Sequence, residues 1–322
     1  MSNITISSST YAGENALQYI SAALTTADSI ANGFVTVMEN VKFKQVLNVF
    51  SHSGSIVQDF ACDFNADGTL TLAERVLAVS EFMTNLEFCK EQFRSTWEAM
   101  NTGRGFINDE MPSNIEDFIL LYVAGIVEEA IEYNLWQGNY DPAGTSPTYT
   151  DFNGLCQVLE ADAGTQDVDL TEIDGTTQAT SITSGEQVIV NLDRMVNALP
   201  TSIRNKERFR FFVSRKTQDF YLQRLAVLGV DYRYQSNDGQ AKFLYNGYEI
   251  VAPAGFPDDT ILYASSENLF FGTDLNSDFN QAVVIDRTPV DGSDNVRVAM
   301  RYTAGCQVGV PADCVMCFPD AV

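Results

Sequence analysis

Histidine, basic residues and long apolar runs are scarce in this chain of 322 residues. The only histidine is His52, so a hydrolase that uses histidine as its general base would depend on that residue alone. His52 stands in a run of small polar residues that is typical of a surface turn, and no nucleophile-elbow or phosphate-binding glycine pattern occurs. These absences favour a protein that is not an enzyme.

The shortage of basic residues limits the partners of the chain. Lysine and arginine number 19 against 43 acidic residues, which gives a formal net charge of −24. Binding to nucleic acid without sequence preference requires basic side chains that neutralise phosphates. General DNA or RNA binding is therefore not expected, and the acidic surface would instead keep a free subunit soluble.

No segment of the sequence is long and apolar enough to predict a membrane-spanning helix. The longest apolar run covers residues 118–127, whereas a helix that crosses a bilayer takes about 20 residues. The first ten residues have neither the basic nor the apolar part of a signal peptide. We therefore expect a soluble protein made in a cytoplasm, where cysteines persist as thiols. The cysteines are Cys62, Cys89, Cys156, Cys306, Cys314 and Cys317.

Helical spacing and strand alternation both occur, which predicts the α+β class. The clearest helix covers residues 114–137, with Ser113 and Glu116 as a capping box and Gly138 at its end. Further predicted helices cover 14–24, 86–100, 186–199 and 217–228. Predicted strands cover 34–37, 208–214, the hairpin 242–252, and the segments 261–273 and 279–310. In the last strand, Val296, Val298, Met300 and Tyr302 share one face.

Residues 54–79 predict a second hairpin. Its first strand would carry Ile56, Phe60, Cys62 and Phe64, and residues 65–68 would form the turn. A two-stranded hairpin is marginally stable alone in water, so it must lie on this subunit or on a neighbour.

The turn of this hairpin also matches a calcium-binding pattern. Residues Asp63 to Glu74 fit the twelve-residue EF-hand loop, with Gly68 at the sixth position. An EF-hand has a helix on each side, but residues 54–57 alternate like a strand and no second loop exists to pair with this one. The pattern favours a hairpin turn, and we assign no metal or cofactor to it.

Two other groups of residues suggest binding. Cys314 and Cys317 have the spacing of a zinc or redox pair, but a zinc site needs four ligands, and these two are better explained as thiols on a terminal strand. The second group is a basic cluster, which consists of Arg204, Lys206, Arg208, Arg210, Arg215 and Lys216. We expect this cluster to pair with carboxylates of another copy of the chain, such as the acidic stretch 160–174.

Several blocks, taken in order, resemble a known family. They are Tyr11–Glu14, Cys62–Phe64, Gly68–Leu72, Glu74–Leu77, Phe93 with Trp97, the helix 114–137, Asp151–Gly154, Tyr245–Ile250, Asn268–Thr273 and Asp291–Arg297. This order resembles the major capsid proteins of tailed phages with the Hong Kong 97-like fold, particularly those of Bacteroidetes phages, and covers nearly the whole chain.

The resemblance implies a domain organisation. Residues 1–45 would form an N-terminal arm, and 46–100 an extended loop hairpin with a flanking helix. Residues 101–150 would belong to a peripheral domain with the spine helix 114–137, 151–278 would form an axial domain, and 279–322 would return to the peripheral domain.

The resemblance also implies a function in the virion. Subunits would assemble in the host cytoplasm into hexamers and pentamers of an icosahedral head that encloses double-stranded DNA without reading its sequence. Expected partners are other copies, a portal, a separate scaffolding protein and cement proteins, with no membrane and no catalytic residue. Two alternatives are an encapsulin-type nanocompartment shell and a secreted calcium-binding or carbohydrate-active protein.

Overall fold

The computed structural model describes residues 9–11, 28–55, 57, 59, 62, 68–89, 115–140, 150–204, 208–229, 243–274, 282–286 and 295–319. Its helices are α1 (Asp28–Ala31), α2 (Ile115–Gln137), α3 (Leu155–Glu160), α4 (Gly185–Ala198), α5 (Thr201–Arg204) and α6 (Arg215–Val227). Its strands are β1 (Ser9–Tyr11), β2 (Thr36–Met38), β3 (Lys44–Ser53), β4 (Thr69–Ala78), β5 (Ser80–Cys89), β6 (Gln166–Asp169), β7 (Phe209–Val213), β8 (Phe243–Tyr245), β9 (Tyr248–Val251), β10 (Ile261–Ser265), β11 (Leu269–Gly272), β12 (Ala282–Asp286), β13 (Asn295–Val308) and β14 (Val315–Phe318). The predicted α+β class is confirmed.

The first sheet is built along the long strand β13. Its order is β1-β12-β13-β11-β2, and β5 pairs with β13 as well. β12 and β13 form the predicted antiparallel pair, in register from Ala282 opposite Met300 to Asp286 opposite Val296. Val298, Met300 and Tyr302 are buried together in the first core, so the predicted apolar face of this strand is confirmed.

The second sheet has both faces covered. Its order is β6-β14-β10-β7-β9-β8. Alternate side chains enter two cores: Phe212, Leu262 and Met316 pack in the first core, which includes α2 and α3. Phe211 and Tyr263 pack in the second core, which includes α4 and α6. Burial on both faces explains why these strands are short continuous apolar runs in the sequence.

Three predicted helices are confirmed with small shifts at their ends. The spine helix is α2, which at 1.5 Å per residue is about 35 Å long and ends where the Gly138 amide donates to the Asn134 carbonyl oxygen. Side-chain hydroxyls of Ser184 and Ser214 accept hydrogen bonds at the first turns of α4 and α6. Ser113, the predicted N-cap of the spine helix, lies outside the described residues, and so does the predicted helix 14–24.

The predicted hairpin exists, but its first strand was placed wrongly. β4 pairs with β3, from Lys44 opposite Ala78 to Ser53 opposite Thr69, so its partner strand lies earlier in the chain than predicted. The chain leaves β3 at Gly54 and enters β4 at Gly68, and both glycines have a positive φ. A Cβ built on Gly54 would lie 3.3 Å from the Gly68 Cα, so the two backbones approach closely there.

The predicted helix 86–100 is wrong where the structure describes it. Residues 86–89 belong to β5, which pairs antiparallel with β13 from Ser80 opposite Ala304 to Cys89 opposite Asn295. Phe82 and Leu86 are partly buried, whereas Met83 and Glu87 on the other face are exposed. This alternation outweighs the helical spacing of the aromatic residues that follow, and residues 90–100 lie outside the described residues.

The last strand joins the second sheet. β14, from the segment assigned to the peripheral domain, pairs with β10 and β6, which come from the segment assigned to the axial domain. The domain boundaries therefore stay a prediction.

A buried amide fixes the loop after β6 to helix α4. The Asn191 side-chain oxygen accepts from the Thr171 amide at 3.0 Å and from its hydroxyl at 3.1 Å. The Asn191 amide nitrogen donates to the Thr171 carbonyl at 2.8 Å and to the Gln187 carbonyl at 2.9 Å. Asn191 is fully buried, so its removal would leave several buried polar groups without a partner.

We predict that Asn191→Ala lowers the free energy of unfolding by about 2–4 kcal/mol, because Thr171 loses its buried partners. Asn197→Ala on the same helix is the control, since Asn197 is exposed and its loss should change stability by less than about 0.5 kcal/mol. Chemical denaturation of both variants measures this, and equal stabilities would contradict the role given to Asn191.

A candidate interaction surface on the hairpin

The hairpin β3–β4 has one mainly apolar face that its own chain leaves exposed, and this face is interrupted by Asn48 opposite Glu74. Residues directly opposite each other in an antiparallel pair lie on the same face, and here Val46 is opposite Val76 and Phe50 is opposite Leu72. Leu70 continues this face opposite His52. The exposed fractions are 47% for Val46, 67% for Phe50, 68% for Leu70, 52% for Leu72 and 41% for Val76. We call these five side chains the outward face.

The opposite face is attached to the body only near its base. Leu77 is fully buried in a small cluster with Val41 and Val79, and Leu47 and Phe270 pack against it. Along β4 towards the loop, all the residues from Thr69 to Glu74 are exposed. The outer part of the hairpin therefore projects from the body.

Polar contacts also hold the base. The Arg75 guanidinium pairs with the Asp162 carboxylate, and each side chain is about a quarter exposed. The Gln307 side-chain amide donates to the Val76 carbonyl at 2.9 Å. The hydrogen bond from Arg75 holds the pKa of Asp162 below its ordinary value, so this carboxylate is charged at neutral pH.

An exposed apolar face on a projecting hairpin is suited to binding another protein surface. Soluble proteins rarely leave contiguous apolar patches in water, and such patches mark interaction sites. Each large aliphatic or aromatic side chain that becomes fully buried contributes about 1.5–3 kcal/mol. The five side chains of the outward face could therefore supply much of the energy of an interface.

The structure differs from an EF-hand where it describes the calcium-binding pattern. Residues 69–74, the second half of the pattern, lie on β4, where an EF-hand loop would pass into its second helix. Glu74, at the twelfth position, is an exposed strand residue opposite Asn48. Asp63, Asn65 and Asp67 lie outside the described residues. His52 is exposed on β3, within a strand rather than in a turn.

The two cysteines with the spacing of a zinc pair lie at the terminal strand, Cys314 directly before β14 and Cys317 within it. Cys314 packs in the first core and Cys317 in the second, because three residues of extended chain turn the side chain to the other face. Both side chains are thiols and both are fully buried. Burial raises the pKa of Cys317 to about 12. The two side chains therefore belong to different cores in this arrangement, and the absence of a metal at them stays a prediction.

The basic cluster already has carboxylate partners within the chain. Arg210 pairs with Glu249 at 2.8 Å and Lys216 with Asp259 at 3.1 Å. Further contacts join Arg208 to Glu267, Arg215 to Asp219, and Arg204 to the Leu199 carbonyl. Lys206 lies outside the described residues. The proposed pairing with another copy stays a prediction, and it would compete with these internal pairs.

In the acidic stretch 160–174, two carboxylates have internal partners. Asp162 pairs with Arg75, as described above. Asp174 accepts hydrogen bonds from Thr176 and Thr177 within its own turn, which lowers its pKa. Burial and the nearby carboxylates of Glu160 and Asp169 raise the pKa of Asp167. These residues lie on one edge of the second sheet and the loop beside it.

The sequence predicts the apolar face of β4 at Leu70 and Leu72, but the half of the outward face on β3 was missed because both faces of β3 carry apolar residues. Val46 and Phe50 lie on one face and Leu47 and Val49 on the other, so hydrophobicity does not alternate. The opposing strand held a usable signal, since Leu70, Leu72 and Val76 alternate with Thr71, Ala73 and Arg75.

Several solved structures with a similar arrangement of elements come from phage capsids and related particles. A protein of the satellite phage P4 procapsid has a TM-score of 0.63 at 13% identity, over 94% of this chain and 89% of that one. The capsid of Myoviridae phage XM1 gives 0.55 at 12% identity, over 99% and 96%. The chain has the Hong Kong 97-like capsid fold.

A virus-like particle from Pyrococcus furiosus has the same fold, with a TM-score of 0.51 at 9% identity over 94% of this chain and 98% of that one. No protein-family profile and no curated protein matches the sequence. The expected likeness to capsid proteins of Bacteroidetes phages therefore stays a prediction, since these identities establish the fold alone. Within the described part of the chain, no helix is both long and apolar enough to span a bilayer.

We predict that a thiol reagent at pH 8 labels Cys62 quickly and labels Cys156, Cys314 and Cys317 slowly. Cys62 is exposed, whereas the other three are buried, and burial raises the pKa of Cys156 and Cys317 to about 12. Peptide mass spectrometry after timed labelling measures the rates, with a denatured sample as the control in which all four react. Fast labelling of Cys314 and Cys317, or zinc bound to the purified protein, would contradict their placement.

Proposed function

We propose that this chain is the major capsid protein of a tailed bacteriophage. Copies would assemble into hexamers and pentamers, and these into an icosahedral shell that encloses double-stranded DNA. The observation that carries the proposal is the outward face: a capsid fold from which an apolar hairpin projects, with 67% of Phe50 exposed on it.

The hairpin supports a role in contacts between copies. Two strands with a hydrophobic face are marginally stable in water unless another surface covers that face. In a ring of identical subunits, each hairpin would lie on the next copy and each body would receive the hairpin of the previous one. Such a heterologous contact closes into a ring when a whole number of identical rotations between neighbouring copies makes one full turn.

The charge of the chain supports enclosure of DNA rather than attachment to it. A net charge of −24 gives little attraction to phosphates, so the shell would hold DNA as a container. The exposed acidic surface would also keep free subunits apart until apolar contacts form. A portal, a separate scaffolding protein and cement proteins are further proposed partners, and assembly would take place in the host cytoplasm.

A nanocompartment shell is the second candidate. The structural match to the virus-like particle from Pyrococcus furiosus favours it, because that particle shares the fold. The two candidates differ in contents: a phage head holds nucleic acid, whereas an encapsulin-type shell holds cargo protein. The ultraviolet spectrum and protein content of particles purified from the native source separate the two. The third alternative, a secreted calcium-binding protein, is weakened by the strand at residues 69–74.

We predict that Phe50→Asp and Leu72→Asp each prevent assembly of the recombinant chain but leave the subunit folded. Both side chains are largely exposed, so the free energy of unfolding should change by less than about 0.5–1 kcal/mol, while a carboxylate in the apolar contact would disfavour burial. Analytical ultracentrifugation and negative-stain electron microscopy measure assembly.

Thr71→Asp and Ser51→Asp are the matched controls. They place the same charge one residue away on the same two strands, on the opposite face, where both side chains are also exposed. These variants should assemble like the parent chain. Equal loss of assembly in all four variants, or in none, would contradict a specific role for the outward face.

A further inference from the structure

Arg75 is the last partly buried residue of β4 on the way from the body to the loop. Leu77 is fully buried and Arg75 is partly buried, whereas the residues from Thr69 to Glu74 are exposed. Whatever determines the angle of the projecting part must therefore act on β4 at Arg75 or nearer the body.

The partner of Arg75 is held firmly by the body. Asp162 follows α3, whose Leu155 and Leu159 are fully buried in the first core. The Asp162 amide donates to the Leu159 carbonyl at 3.1 Å, and its carboxylate accepts from the Gly164 amide at 2.9 Å. A carboxylate fixed in this way is a stable point of attachment for a guanidinium.

Some contacts at the base of the hairpin fix its position, and others fix its orientation. The apolar contact at Leu77 is non-directional, because the gain from burying apolar surface depends mainly on area. An arginine–carboxylate pair has a preferred geometry and a charge-assisted hydrogen bond. The Leu77 cluster therefore holds the hairpin in place, while the directional contacts resist its rotation on that cluster: the ion pair of Arg75, and the hydrogen bond from Gln307 to the Val76 carbonyl.

A small change of angle at this point becomes a large displacement further out. Thr69 lies six positions from Arg75 along β4. At about 3.3 Å per residue, this part of the strand is a lever about 20 Å long. Tilting the hairpin by about 10° would move Thr69 by about 3 Å. Phe50, Leu70 and Leu72 of the outward face lie along this lever, so their position depends on the ion pair.

We propose that Arg75 is a positioning residue that, through Asp162, sets the angle at which the hairpin leaves the body. Its consequence for a shell rests on the proposed function: a hairpin at the wrong angle would reach the next copy in the wrong place. In the isolated subunit the proposal stands independently of assembly, because both partners belong to one chain.

The test measures the distance between the hairpin and the body in the subunit. Spin labels are placed at Ser51 on the hairpin and Asn197 on the body, both exposed, through non-natural amino acids that leave the native cysteines unlabelled. Labelled chains are diluted with unlabelled chains, so that only distances within one chain are measured by pulsed electron paramagnetic resonance.

Arg75→Met and Asp162→Asn each remove the ion pair from one side. Methionine at position 75 replaces the apolar stem of the arginine without its charge, and asparagine at position 162 keeps the acceptor for the Gly164 amide. Ser51 lies opposite Thr71, four residues from Arg75, so a tilt of about 10° would move it by about 2 Å. We expect each variant to broaden or shift the distance distribution by about 2 Å or more, and the double variant to match the single ones, since the two changes remove one interaction. Arg75→Lys should restore a distribution close to that of the parent chain.

Arg297→Met is the matched control, because Arg297 pairs with Glu87 at 3.1 Å on the first sheet, where both side chains are almost half exposed. It should leave the distribution unchanged. Unchanged distributions in Arg75→Met and Asp162→Asn, or a double variant whose effect is the sum of the two, would overturn the inference. Electron microscopy of the same variants separately shows whether shells form and vary more in diameter, and a parent chain that forms no shell would reject the proposed function alone.

Discussion

The projecting hairpin places an energetic constraint on the whole molecule, because its two strands cannot cover their own apolar side chains. Phe50 and Leu72 meet across the strand pair and remain mostly in solvent. Folding of the single chain therefore leaves apolar area in water that association can bury. The rest of the structure can be understood as the rigid base that presents this face in a fixed place.

That base consists of two cores on either side of one sheet. Phe211 and Phe212 are neighbours on β7, yet one packs with α4 and α6 and the other with α2 and α3. The hairpin is continuous with the first sheet, since β4 ends at Ala78, β5 begins at Ser80, and the residue between them, Val79, is buried. The hairpin is thus connected to β13 through the pairing of β5 with β13. Arg75 adds a charged contact to the body where the hairpin begins to project.

Much of the body could be predicted from the sequence, since helix caps and short apolar runs are local signals. Ser184 and Ser214 mark the starts of two helices, and Asn246 with Gly247 marks a tight hairpin. The errors arose where partners distant in sequence decide the structure. β5 is a strand because ten residues of β13 pair with it, and β3 has no alternation because its inner face packs on the body while its outer face carries the proposed interface. The contact between Arg75 and Asp162, 87 residues apart, has no local signal at all.

The central claim is that the outward face of the hairpin is completed by another copy of the same chain. A cryo-electron microscopy reconstruction of particles formed by the recombinant chain tests it most directly. The account predicts closed shells in which Val46, Phe50 and Leu72 of each subunit are covered by the neighbouring subunit. Shells in which these side chains stay in solvent, or a chain that remains monomeric with the hairpin folded onto its own body, would contradict it.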